Sequence, residues 1–263
     1  MLRTQGNPDN PPIVFIHGFL GNHLDWSAVI DALSQQWFCL SIDLPGHGER
    51  GDSLLSNSGE SELNLLFDSI ISTIDKPFNL LGYSLGGRIA MLLAHQHPGY
   101  ILSLSLESSH PGLLTQHEKQ NRIQADKKWA SLFLTQPLNL VLREWYQQPV
   151  FNCHNNRKLQ QLVESHLGQS GAQLSKALTD YSLGIQKPYW DFLSQWNKPL
   201  LYISGKYDGK FCSIGADIKN INPYTQHITL EQSAHNCHDD QPQAFIDTLS
   251  RFLNNNRSLT SAY

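Results

Sequence analysis

Five residues, Gly82-Tyr83-Ser84-Leu85-Gly86, follow the apolar run Phe78-Asn79-Leu80-Leu81 and lead into a helix-prone stretch from Gly87 to Ala94. That order reads as strand, sharp turn and helix, with a serine at the apex. Glycines on both sides suit so tight a turn, because the apex backbone is strained and its neighbours have no room for a Cβ. A serine hydroxyl is almost un-ionised at neutral pH, so a reactive Ser84 needs a base, and the base needs an acid to hold its tautomer. Asp208, in Ser204-Gly205-Lys206-Tyr207-Asp208, and His235, in Ser233-Ala234-His235-Asn236, each stand just past a strand-like run. The three residue types predict a Ser84, His235 and Asp208 triad at the carboxyl ends of strands. A solvated turn aspartate and a loop histidine bonded to the backbone are the plainer alternatives for the last two.

Arg88 lies four residues after Ser84 and shares its face of the helix near the N-terminal turn. A cation there opposes the helix dipole, at a cost of ~0.3–1 kcal/mol unless an anion is close. The placement predicts a substrate bearing a carboxylate. Arg122 and Lys210 are candidates for further positive charge at the site, the alternative being exposed solubilising charge. His235-x-Cys237-His238 is the densest run of metal-ligand types, and no second cluster stands at ligand spacing. No metal and no cofactor are expected.

The elements that must position these residues alternate. Ile13-Val14-Phe15-Ile16 is a continuous apolar run suited to a strand buried on both faces, and Trp37 to Ile42 reads as a second strand. A helix is expected from about Trp26 to Leu33. Leu63, Leu66, Phe67, Ile70, Ile71 and Ile74 recur at helical spacing, and Ile101 to Leu106 is strand-like again. Strand and helix in regular turn argue for an α/β fold with a mostly parallel sheet, covered by helices on both faces, whose ligands sit at the carboxyl ends of the strands. From about Leu113 to Gln186 the strand signal vanishes. Thr115-x-x-Glu118 is a capping box opening one helix toward Phe133, Pro137 begins the next and Pro149 stops it. The expected organisation is a core of residues 1–112 and 187–263 with a helical lid, 113–186, inserted between strands. A helical subdomain that merely enlarges the core is the alternative. The sheet resumes with Leu200 to Ser204 and Gln226 to Leu230, a last helix spans about Gln241 to Leu253, and the polar tail from Asn254 is expected to fray.

With 263 residues, 40% hydrophobic and 16% charged, the chain is sized for one large domain. No apolar run approaches bilayer-spanning length and the polar start lacks a secretory signal, so a cytoplasmic protein without membrane insertion is expected. Four scattered cysteines with no C-x-x-C pair suggest free thiols. A net charge of −4 gives no long-range attraction to nucleic acid. The oligomeric state, monomer or homodimer, is not readable.

These motifs resemble those of the α/β-hydrolase superfamily, in which serine, acid and histidine follow in this chain order. His17-Gly18-Phe19, Asp43-Leu44-Pro45-Gly46-His47-Gly48 and Gly82 to Gly87 carry that likeness. More narrowly, Arg88 in Gly-Tyr-Ser-Leu-Gly-Gly-Arg, Glu107 with His110-Pro111-Gly112-Leu113, and Trp145-Tyr146-Gln147-Gln148-Pro149-Val150-Phe151 resemble the 2-succinyl-6-hydroxy-2,4-cyclohexadiene-1-carboxylate synthases of menaquinone biosynthesis. The likeness runs from His17 to about Phe252. It implies an oxyanion hole from the backbone N–H groups of Leu85 and Phe19. It further implies a lyase that eliminates pyruvate from a tricarboxylate, 2-succinyl-5-enolpyruvyl-6-hydroxy-3-cyclohexene-1-carboxylate, with Ser84 abstracting a ring proton. Arg88 and Arg122 would meet carboxylates, Tyr83 would stand beside the serine, and Trp145 and Phe151 would form an aromatic wall. His166 occupies the place where the family often carries a carboxylate-binding arginine, and is the candidate for that contact here.

Fold and triad alone do not separate elimination from hydrolysis by a carboxylesterase or thioesterase. Arg88 and the Trp145 to Phe151 segment favour the lyase, since a pocket for a neutral acyl chain gains little from buried cations. A noncatalytic ligand receptor on the same fold is the reading from another class, and it is disfavoured because all three triad types are present.

Overall fold

The computed structural model describes residues 2–48, 59–151 and 156–257. Its strands are β1 (Leu2–Gln5), β2 (Pro12–Ile16), β3 (Phe38–Ile42), β4 (Phe78–Tyr83), β5 (Ile101–Glu107), β6 (Leu200–Gly205) and β7 (Thr225–Leu230). They form one sheet in the order β1-β3-β2-β4-β5-β6-β7. β1 pairs antiparallel with β3 and every other pairing is parallel. The central parallel strands are legible because they are buried on both faces and so largely apolar, as in β2 and β6, whereas β7, parallel at the sheet edge, is half exposed. β1 is different. Its sequence, LRTQ, is polar and mostly exposed and carries no strand periodicity, so it becomes a strand only through the edge that β3 supplies.

Helices cover both faces: α1 (Ser27–Leu33), α2 (Gly59–Ile74), α3 (Leu85–Gln96), α8 (Trp190–Gln195), α9 (Gly209–Ile221), α10 (Cys237–Asp240) and α11 (Pro242–Asn255). Alternation along each strand sorts the core into two layers. Val14, Ile16, Leu80 and Tyr202 pack with α2, α3 and α9 on one face, while Ile13, Phe15, Leu81 and Leu201 pack with α1 and α11 on the other. Complete burial of a side chain such as Phe15 or Phe245 contributes ~1.5–3 kcal/mol, and these layers hold the sheet rigid under the site. No described helix is long and apolar enough to cross a membrane.

Between β5 and β6 lie α4 (Gln116–Thr135), α5 (Leu138–Tyr146), α6 (Asn156–His166) and α7 (Gly171–Asp180). Thr115 Oγ1 accepts from Glu118 N at 3.2 Å and Glu118 Oε2 accepts from Thr115 N at 3.0 Å, so the capping box forms and starts α4. These helices bury an apolar cluster of their own, including Phe133, Leu142, Val163 and Leu174, with Leu20 from the sheet side reaching into it. Leu159, Leu162, Val163, His166 and Leu167, and likewise Leu174, Leu178, Tyr181 and Ile185, recur at helical spacing and predict two apolar stripes, which the structure shortens. Leu167 and Ile185 fall past the ends of α6 and α7 and are exposed. The frayed tail also needs correcting: α11 continues to Asn255 and the Arg257 guanidinium lies over the Trp37 ring at 5.6 Å, while residues 258–263 are outside the described ones.

Candidate active site

β4 ends at Tyr83 and α3 begins at Leu85, which leaves Ser84 alone to reverse the chain at φ 50° and ψ −107°. A non-glycine residue held at positive φ is strained and persists only where its surroundings impose it. Here they do. Ser84 N donates to the Glu107 carbonyl at 2.9 Å, and α3 comes so close to β2 that a Cβ on Gly86 would stand 2.2 Å from the Ile16 carbonyl oxygen. On the other side, a Cβ on Gly82 would stand 2.4 Å from the Gly86 oxygen. The serine is thus thrust out above the sheet.

Ser84 Oγ stands 3.0 Å from His235 Nε2, and His235 Nδ1 stands 2.7 Å from Asp208 Oδ2. The carboxylate accepts the Nδ1 proton, so Nε2 is left with its lone pair toward the serine hydroxyl. Asp208 is also the N-cap of α9, its Oδ1 accepting from Phe211 N at 3.3 Å, which fixes the carboxylate that orients the imidazole. The Phe211 ring is 4.6 Å from that of His235, with Tyr83 at 5.5 Å and Phe151 edge-on at 5.8 Å. His235 and Asp208 are both buried.

Ser84 opens into a cavity of about 90 Å³ shared with Phe19, Leu85, Arg88, Arg122 and Trp145. The predicted residues do not all meet there. Tyr83, Phe151 and His166 line a neighbouring cavity of about 290 Å³, which touches the first at Phe19. Lys210 lines neither of these and lies over the Phe211 ring at 5.5 Å. His166 is turned into its own helix, its Nδ1 proton donated to the Leu162 carbonyl at 2.6 Å. A third cavity, of about 580 Å³, borders the first at Leu85, Arg88 and Tyr181.

The two arginines differ. Arg122 Nε donates to Asp126 Oδ1 and Oδ2 at 2.8 and 2.9 Å, one turn along α4, so an internal carboxylate already offsets its charge. Arg88 donates to the Gln186 side-chain oxygen at 2.9 Å and the Tyr181 carbonyl at 2.7 Å, both neutral, and has no carboxylate partner among the described residues. Burial, and then the neighbouring Arg122, pull its pKa down to about 9. It remains charged at neutral pH, as a half-buried cation in want of an anion.

A second carboxylate and imidazole stand behind the first pair. Glu107, whose carbonyl holds Ser84 N, accepts from His238 N at 3.0 Å and from His238 Nδ1 at 2.7 Å, tying the serine turn to the loop that carries His235. Burial works against a charge on His238, yet Glu107, together with Asp25 and Asp239, outweighs it and the pKa is raised. Trp26 stacks on the ring at 4.2 Å. The signal that could have revealed this pair is the i, i+3 spacing of His235 and His238 with an acid at the end of a buried strand. The dense His235-x-Cys237-His238 run is therefore shared between these two pairs, not gathered at one point.

The whole arrangement can be compared with known proteins. Residues 11–242 match the family model described as alpha/beta hydrolase fold. The chain is 34% identical over 249 residues, 94% of its length and 96% of the relative's, to 2-succinyl-6-hydroxy-2,4-cyclohexadiene-1-carboxylate synthase of Escherichia coli K12 / DH10B, and equally to that of the O1:K1 / APEC strain. The structure of MenH from S. aureus superimposes with a TM-score of 0.91 at 28% identity, covering 97% of this chain and 98% of that one. An enol-lactonase from Burkholderia xenovorans LB400, at TM-score 0.79 and 17% identity, shares the fold. On this evidence the chain belongs to the α/β-hydrolase fold and, within it, to the 2-succinyl-6-hydroxy-2,4-cyclohexadiene-1-carboxylate synthase family.

Proposed function

We propose that this enzyme eliminates pyruvate from 2-succinyl-5-enolpyruvyl-6-hydroxy-3-cyclohexene-1-carboxylate in menaquinone biosynthesis, with Ser84, His235 and Asp208 as its base. His235 Nε2 takes the serine proton and Ser84 Oγ takes a proton from the ring carbon. The electron pair left behind forms a C2–C3 double bond, the existing C3–C4 double bond shifts to C4–C5, and the C5–oxygen bond to the enolpyruvyl group breaks, which leaves the 2,4-diene. The departing enolate then gains a proton to become pyruvate. Charge spreading onto the succinyl carbonyl during proton removal is met by the N–H groups of Leu85 and Phe19. Asp208 keeps the imidazole in the tautomer that can accept and steadies the imidazolium that results.

The observation that carries this reading is Arg88: a half-buried guanidinium, bonded to neutral oxygens and placed in the wall of the serine's own cavity, fits a carboxylate-bearing substrate and is wasted on a neutral ester. Arg122 adds positive charge from α4. The cavity of about 90 Å³ at Ser84 is below the ~300 Å³ typical of small-molecule sites, and a movement of α4 to α7, acting as a lid, would join it to the cavities of about 290 and 580 Å³ that border it. Displacing Phe19, which the two cavities share, would join them and bring Tyr83 and Phe151 against the bound ring. The test is pyruvate release from the enolpyruvyl substrate, followed with coupled lactate dehydrogenase, beside hydrolysis of nitrophenyl esters. Steady pyruvate formation with feeble ester turnover is expected. Rapid ester hydrolysis without pyruvate would instead assign an esterase.

A further inference from the structure

His110 lies just beyond β5, in the wall of the cavity that holds Ser84, Arg88 and Arg122. Its ring has a fixed orientation. Gly112 N donates to His110 Nδ1 at 3.0 Å, and Gly112 sits at φ +130°, where a Cβ would strike Pro188 Cα at 2.5 Å. The turn is closed from the far side by Trp190, whose Nε1 donates to the Gly112 carbonyl at 2.9 Å. A backbone N–H can only donate, so Nδ1 must accept and the single proton of the neutral ring resides on Nε2. Nε2 has no hydrogen-bond partner among the described residues.

We propose that His110 is a substrate-contacting residue, an uncharged Nε2–H donor to a carboxylate oxygen that Arg88 and Arg122 attract. The inference rests on the anionic-substrate reading above and names one more contact of that site. Its chemistry follows from its neighbours. Burial first, then Lys210, Arg88 and Arg122, push the His110 pKa down to about 4, against a smaller opposing effect of Glu118. An imidazolium among three cations would be repelled. A neutral donor instead adds direction without adding charge, and its tautomer needs no rearrangement when the anion arrives.

Two substitutions separate this role from a structural one. Asn at 110 places an oxygen near the Nδ1 position and can still accept from Gly112 N, but does not reach as far as Nε2. Gln reaches the Nε2 position with an N–H and loses the turn contact. If His110 meets the substrate, H110N lowers kcat/KM for pyruvate release roughly tenfold or more, as expected for a hydrogen bond to a charged group, and H110Q recovers most of it. The reverse order, or no effect of either, overturns the proposal. Nitrogen-15 spectra of histidine-labelled wild type give a readout without turnover: His110 should be in the Nε2–H form at pH 7 and stay neutral to about pH 5. An Nδ1–H form, or titration near 6.5, refutes it. If wild type releases no pyruvate, the functional reading fails by itself. Calorimetry with citrate as a tricarboxylate probe then decides the contact: weaker binding by H110N than by H110Q supports it, and equal binding removes it.

Discussion

On the proposed reading, Arg88 is the side chain that speaks for an anionic substrate. Its two hydrogen bonds satisfy the guanidinium's donors only in part and its charge not at all, since Gln186 and the Tyr181 carbonyl are neutral. Replacement by Ala should cost ~2–5 kcal/mol of transition-state stabilisation, read as a fall in kcat/KM for pyruvate release with the folded fraction unchanged. A variant as fast as wild type would take Arg88 out of the site. Arg122 teaches the opposite lesson. Its position on α4 was open to reading as a free cation, yet Asp126 stands one turn away and claims Nε with both oxygens. The i, i+4 spacing of these two residues was visible in the chain. Which of the two calls on Arg122, substrate or neighbour, prevailed at Nε depended on how α4 rolls against α7 and Ser182, whose Oγ donates to Asp126 at 2.6 Å.

At the scale of elements, the turn between β4 and α3 was legible because its constraint is local: glycines at 82 and 86 answer close approaches within a few residues or to the adjacent strand. Gly86→Ala should destabilise by at least ~1–3 kcal/mol, since its Cβ would meet backbone, which cannot rotate away. A lowered urea midpoint together with loss of activity is expected; an unchanged midpoint would mean that α3 can retreat from β2. The helices α4 to α7 were legible as helices, through the capping box and apolar spacing, but the placing of Phe151 and His166 beside a second cavity was not. That outcome depends on packing between helices far apart in sequence.

For the whole molecule, buried imidazoles set the response to acid. Burial, with the adjacent His47 ring, lowers the His17 pKa to about 3, and burial lowers that of His47 to about 4. The unfolded chain binds these protons near pH 6.5 while the folded one resists, so stability falls as pH drops from about 6.5 toward 4. His238 has the opposite sign. Its raised pKa gives a contribution fully present below about 6.5 and lost as pH rises through the folded value. Urea midpoints measured at pH 4.5, 6.5 and 8.5 should peak near the middle value, and His238→Gln should flatten the alkaline side alone. A midpoint that rises steadily toward acid would contradict the burial of His17 and His47.

The chain by itself determined the parallel sheet, the strained serine turn, the order of serine, acid and base, and the helical insertion. Each is written in short-range terms: periodicity, a capping pair, glycines where a Cβ cannot fit. Tertiary structure alone decided that Leu2–Gln5 is a strand, that Glu107 grips His238 131 positions away, and that Arg88 faces neutral partners while Arg122 faces Asp126. It also divided the expected substrate residues between two cavities. The physical reason is the same throughout. A backbone edge, a buried charge and a cavity acquire their meaning from whatever surface folds against them, and that surface is supplied by residues distant along the chain.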